Sequence, residues 1–97
     1  MPKGYWVTCY RSISDPKKVA AYAELAPKAT AAFGCRYLAR GTALTAFEAG
    51  QKERIVISEF PNVENAIAAY NSPGYKEALK ALGDGAVRDI RIVEGTD

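Results

Sequence analysis

The sequence predicts an α+β domain in which a four-stranded antiparallel sheet carries its helices on one face, the elements running β-α-β-β-α-β. Three observations predict it. Stretches rich in β-branched and aromatic residues alternate with stretches whose apolar residues recur at i, i+3, i+4 and i+7. Two of the expected helices open on a small polar residue followed by proline, Asp15-Pro16 and Ser72-Pro73, a capping oxygen ahead of a residue whose missing N–H costs nothing in the first turn. The 97 residues, 25% charged and 48% hydrophobic, suffice for one core and no second, so 1–97 is read as a single domain.

Gly4 to Arg11 reads as the first strand, ended by Ser14-Asp15-Pro16. The helix that follows has Val19, Tyr22, Ala23 and Ala26 on one stripe, continued through Thr30 to Phe33, with Gly34 as its stop and Pro27 expected to kink or break it. Arg36 to Arg40 makes the second strand; Gly41-Thr42 reads as a bend or bulge before a continuation through Leu44 to Glu48, and Ala49 to Lys52 as a hairpin turn. Arg54 to Phe60 is the plainest strand, with three consecutive β-branched residues before Pro61. Asn62 caps a helix with Val63, Ala66, Ile67 and Tyr70 in register, and Ser72-Pro73 restarts one with Tyr75, Ala78, Leu79 and Leu82. Gly83 stops it, and Val87 to Val93, with Ile90 and Ile92 on one face, is the last strand.

This order is the ferredoxin-like split βαβ arrangement, which leaves one sheet face without helices. Both parity sets of the third strand, Val56-Ser58-Phe60 and Ile55-Ile57-Glu59, hold large apolar residues, so neither face suits water. The expected cover is a second copy, giving a homodimer joined through its sheet faces and enclosing a partly polar cavity.

Charge and composition exclude several functions. Thirteen Lys+Arg against eleven Asp+Glu, net +2 and without a basic block, argues against nucleic acid. No histidine is present, which removes imidazole metal ligands, histidine bases and His-based triads, and no metal or organic cofactor is expected. Cys9 and Cys35 have no metal-ligand spacing and read as reduced thiols. No apolar run approaches a membrane span, and Met1-Pro2-Lys3-Gly4 lacks the basic and apolar regions of a leader, so a cytoplasmic protein without a membrane partner is expected.

Gly4-Tyr5-Trp6, Asp15-Pro16, Tyr22, the run Phe33 to Gly41, Glu59-Phe60-Pro61 and Tyr70-Asn71-Ser72-Pro73-Gly74-Tyr75 together resemble the family known as domain of unknown function 1330, over nearly the whole chain. That family resembles the dimeric α+β barrel superfamily, which also holds cofactor-independent monooxygenases, muconolactone isomerase and chlorite-dismutase-like proteins. The resemblance implies a barrel dimer with a cavity in each protomer, and no particular reaction. Two positions depart from the family pattern: Cys35 stands at a usual glycine, and Gly74 at the usual glutamate of a Ser-Pro-Glu-Tyr run.

Strict alternation places Arg36, Leu38 and Arg40 on the open sheet face and Tyr37 and Ala39 on the helix side. A guanidinium there needs an anion, either the carboxylate of Glu59, its nearest partner by parity, or that of a ligand. Two readings stand. Arg40 and Glu59 form a structural ion pair, or Arg36 and Arg40 hold a small organic acid while Glu59, raised in pKa by burial, acts as general acid or base in an isomerase or monooxygenase-like enzyme. Tyr70, Ser72 and Tyr75 surround the helix restart and are further candidates for binding, with packing and capping as their alternative roles. The expected function is a cavity for a small anionic or aromatic metabolite.

Overall fold

The computed structural model describes residues 2–96. Its elements are β1 (Gly4–Ile13), α1 (Pro16–Ala31), β2 (Arg36–Thr42), β3 (Arg54–Phe60), α2 (Val63–Tyr70), α3 (Pro73–Leu82) and β4 (Ala86–Glu94). The strands form one antiparallel sheet in the order β2-β3-β1-β4, the ferredoxin-like topology. The three expected caps form: Asp15 accepts from the amides of Lys17 and Lys18, Asn62 from Asn65, and Ser72 from Tyr75.

Alternation along β1 decides which face is which. Trp6, Thr8 and Tyr10 are buried beneath the helices, while Tyr5, Val7 and Cys9 point to the other side and are half-buried. The thinnest dimension is 15 Å, one helical layer on one sheet, so among the described residues that other side has no helix over it and only the 43–53 connection along one part. The core is aromatic: Trp6 lies 5.2 Å from both Phe60 and Tyr75, ring centre to ring centre. The Trp6 indole N–H also donates to the Ala66 carbonyl at 2.9 Å, which locks α2 onto β1.

Gly4 is required by that close approach. A Cβ there would stand 2.7 Å from the Asn62 carbonyl oxygen and 2.8 Å from the Val63 Cα, so backbone would have to move. Gly4→Ala is expected to cost about 1–3 kcal/mol, as overpacking does, read from urea unfolding midpoints at unchanged slope. Gly34, at φ +83, adopts the left-handed backbone expected of a helix stop and lies against the Pro61 ring.

The structure corrects three expectations. Pro27 does not break α1, which runs unbroken to Ala31. Proline deprives only the Ala23 carbonyl of its helical donor, and burial of Ala26 and Thr30 on either side holds the helix through it. Leu44 to Glu48 is not a strand: beyond the pair Thr42↔Arg54 only the Ala43 amide reaches back across, to the Glu53 carbonyl at 3.0 Å, and the rest of 43–53 is a connection. The bulge falls at Leu38, between the pairs Tyr37↔Ser58 and Ala39↔Ile57, and not at Gly41-Thr42. One extra residue there reverses the facing of all that follows in β2.

Candidate functional site

The bulge at Leu38 separates the residues that strict alternation places together. Arg36, opposite Glu59, stays on the open face. Arg40, opposite Val56, turns to the helix side with Tyr37, and its guanidinium lies 4.4 Å from the centre of the Tyr37 ring. The expected Arg40–Glu59 pair is therefore absent, because the two side chains lie on opposite faces of the sheet. Glu59 is instead 3.6 Å from the Lys3 ammonium.

Arg40 borders a cavity between α1 and the sheet, together with Arg54, Arg88 and the rings of Tyr10, Tyr22 and Tyr75. Its volume is about 480 Å³ counted to the open mouth, of which only about 30 Å³ is wide enough for a freely placed water molecule. A flat occupant suits so narrow a space. Each wall has a local cause. Tyr22 and Ala26 lie on the buried stripe of α1, Tyr10 and Thr8 on the inward parity of β1, and Arg88 opposite Tyr10 on β4.

Arg88 is the unusual group. Its guanidinium carbon sits 4.6 Å from the centre of the Tyr22 ring and 5.6 Å from that of Tyr10. Its Nη1 is buried and, among the described residues, is the only buried side-chain polar atom without a hydrogen-bond partner. Guanidinium does not shed its proton in proteins, so the charge remains, and no carboxylate borders the cavity. Beside it the hydroxyls of Tyr22 and Tyr75 are hydrogen-bonded at 2.5 Å. Burial, reinforced by neighbouring Tyr22, pushes the Tyr75 phenol well above its ordinary pKa, so Tyr75 stays protonated. Burial raises Tyr37 in the same direction.

A second, wider groove of about 990 Å³ lies on the open face under the 43–53 connection. It carries both signs, Glu53 and Asp89 beside Arg11, Arg54 and Arg91, and Asp89 is 3.2 Å from both Arg11 and Arg91. These contacts hold Asp89 below the usual carboxylate range, the Arg91 hydrogen bond contributing most. The helix-side cavity, whose cations have no such partner, is the stronger candidate.

Of the residues expected at a site, Arg40 and Tyr75 border this cavity. Tyr70 packs on Trp6 and Tyr75, at 5.9 and 5.1 Å between ring centres, and Ser72 caps α3 while donating to the Ala69 carbonyl at 2.8 Å. Arg36 and Glu59 lie on the far side of the sheet. Arg88, Arg54 and Tyr22 were not expected there. Arg88 carried a readable signal, since it shares the inward parity of Ile90 and Ile92, where a charge is out of place. Cys9 and Cys35 are free thiols; Cys35 packs against the core, and burial raises its pKa. Among the described residues no group of acidic, histidine or cysteine side chains is arranged to hold a metal, and no helix is long and apolar enough to cross a membrane.

The family model for domain of unknown function (DUF1330) matches residues 3–96. The chain belongs to that family. The DUF1330 chain has no match among curated proteins, but solved structures share its ferredoxin-like fold. A protein of unknown function from Rhodopseudomonas palustris superposes with a TM-score of 0.76 at 16% identity, covering 99% of this chain and 84% of the other. SnoaB, a cofactor-independent oxygenase from Streptomyces nogalater, gives 0.68 at 11% identity over 100% and 96% of the two chains. A dimeric ferredoxin-like protein of unknown function from Thermobifida fusca gives 0.65 at 17% identity over 96% and 91%. At these identities the likeness concerns the ferredoxin-like fold alone.

Proposed function

We propose that this DUF1330 protein is a cytoplasmic homodimer that binds a small, flat organic acid in the cavity between α1 and the sheet. The observation that carries the reading is the buried, unpartnered Nη1 of Arg88 within aromatic walls that contain no carboxylate. An anionic oxygen from a ligand supplies the missing partner in a charge-assisted bond, and the rings of Tyr10, Tyr22 and Tyr75 offer surface to the ligand's flat body. In this reading Arg40 and Tyr75 meet the ligand, whereas Arg36, Glu59, Tyr70 and Ser72 do not.

The dimer rests on the open face. Tyr5, Val7, Cys9, Ile55 and Ile57 line it half-buried with no helix over them, and Leu44 and Phe47 on the adjoining connection are 90% and 80% exposed. Exposure of that kind marks an interface, and the Thermobifida fusca neighbour is itself described as dimeric.

A second reading, oxygenase chemistry without a cofactor, draws on the likeness to SnoaB and on the Tyr22–Tyr75 hydroxyl pair, a proton-carrying group at the cavity wall. It requires the same ligand binding first.

Thermal unfolding with benzoate and related aromatic acids tests the proposal. An acid present at about 100 times its dissociation constant stabilises by roughly 2.7 kcal/mol, which raises the midpoint by several degrees. A panel of flat acids that leaves the midpoint unmoved contradicts it.

A further inference from the structure

Resting on that reading of the cavity, we propose that its ligand is a dianion whose two acidic groups are held apart, one by Arg88 and the other by Arg54 and Arg40. Three arginines border the cavity, Arg54 at the rim it shares with the open-face groove, and no aspartate or glutamate borders the cavity. None of the three belongs to an ion pair among the described residues, although Lys3, Arg11, Lys18, Lys80 and Arg91 all do. Among the described residues unpaired cations also stand elsewhere, Lys17, Lys28, Arg36, Lys52 and Lys76, but only these three line one cavity between aromatic walls.

The sheet register roots the three side chains at two ends. Arg88 on β4 stands opposite Tyr10 on β1. Arg54 on β3 stands one residue beyond the Cys9↔Ile55 pair, and so flanks Tyr10 from the other side. Neighbouring strands lie about 4.8 Å apart, so the backbones of Arg54 and Arg88 are about 9–10 Å apart, with that of Arg40 on β2 one strand further. Between them the floor is neutral: Tyr10, Thr8 and Val56. A monoanion on Arg88 leaves the far end unmatched, while a rigid diacid lying along the floor meets both ends. The bulge at Leu38 serves this arrangement, since it is what brings Arg40 to the helix side, where the Tyr37 ring steadies its guanidinium.

Calorimetric titration of the wild-type protein at constant ionic strength with terephthalate, benzoate and 4-carbamoylbenzoate tests the inference, the last being a monoanion of nearly the diacid's shape. Terephthalate is expected to bind at least about tenfold more tightly than either monoanion, the effect of one further charge-assisted hydrogen bond. The double substitution Arg40→Gln with Arg54→Gln should erase that preference, bringing terephthalate down to the affinity of the two monoanions. Arg88→Gln should weaken all three acids, and Arg36→Gln, on the opposite face, none. Circular dichroism establishes that each variant is folded. Equal binding of the three acids, or a preference that survives the double substitution, overturns the dianion and leaves the cavity reading standing; no binding of any of the three overturns both.

Discussion

Ile57→Asp is expected to turn the homodimer into a folded monomer. Ile57 pairs with Val7 on β1 and shares the open-face parity with Ile55, so in the proposed dimer it lies within the sheet-to-sheet contact. Two-fold symmetry introduces the carboxylate twice, and a buried charge without a partner costs about 3–5 kcal/mol. That corresponds to a rise in the dimer dissociation constant of about two to four orders of magnitude. Within the lone protomer the position is half-buried and the carboxylate can reach water, leaving a strand-propensity cost of about 1 kcal/mol. Light scattering across a concentration series should give twice 10.5 kDa for wild type and a single chain mass for the variant. A variant that stays dimeric at low concentration places the interface elsewhere.

Arg88→Met is expected to remove ligand stabilisation without weakening the empty protein. The methionine side chain fills much of the same space. The substitution gives up a guanidinium stacked on Tyr22, worth about 0.5–2 kcal/mol, and relieves a buried cation that has an unpartnered nitrogen. These effects oppose each other, so unliganded stability should change by no more than about 1 kcal/mol. The roughly 2.7 kcal/mol gained at saturating acid should vanish. Chemical unfolding with and without benzoate separates the two quantities. A loss of about 3 kcal/mol or more in the absence of acid makes Arg88 a structural residue and removes the main support for the binding site.

How far the chain could be read depended on how local each determinant is. Caps and strand character reside in neighbouring residues: Asp15-Pro16 and Ser72-Pro73 mark helix starts wherever they fold, and Arg54 to Phe60 is a strand by composition. The site depends on parity carried across a bulge. Nothing in Arg36-Tyr37-Leu38-Ala39-Arg40 signals that Leu38 is the extra residue; the pairing with β3 decides it. Gly41-Thr42, the sequence's conformationally freer step, begins three residues further on. Once the bulge is known, Arg40 changes faces and Glu59 loses its expected partner. Arg88 was more legible, since a charge in step with Ile90 and Ile92 on an inward-facing strand requires an explanation from sequence alone. Arg54 opens the third strand as read and shares the parity of Val56 and Ser58; what the sequence does not show is that this parity meets Arg40 across β2, which the bulge decides.

The central claim, that Arg88 holds the acid group of a ligand, is tested most directly by NMR of the arginine side-chain N–H groups in protein labelled with ¹⁵N-arginine. Titration with benzoate should shift and sharpen the Arg88 signals, because a bound carboxylate orders the guanidinium and shields its protons from exchange, while those of Arg36 on the opposite face stay in place. Unmoved Arg88 signals at an acid concentration that stabilises the protein, or shifts confined to Arg36, contradict the account.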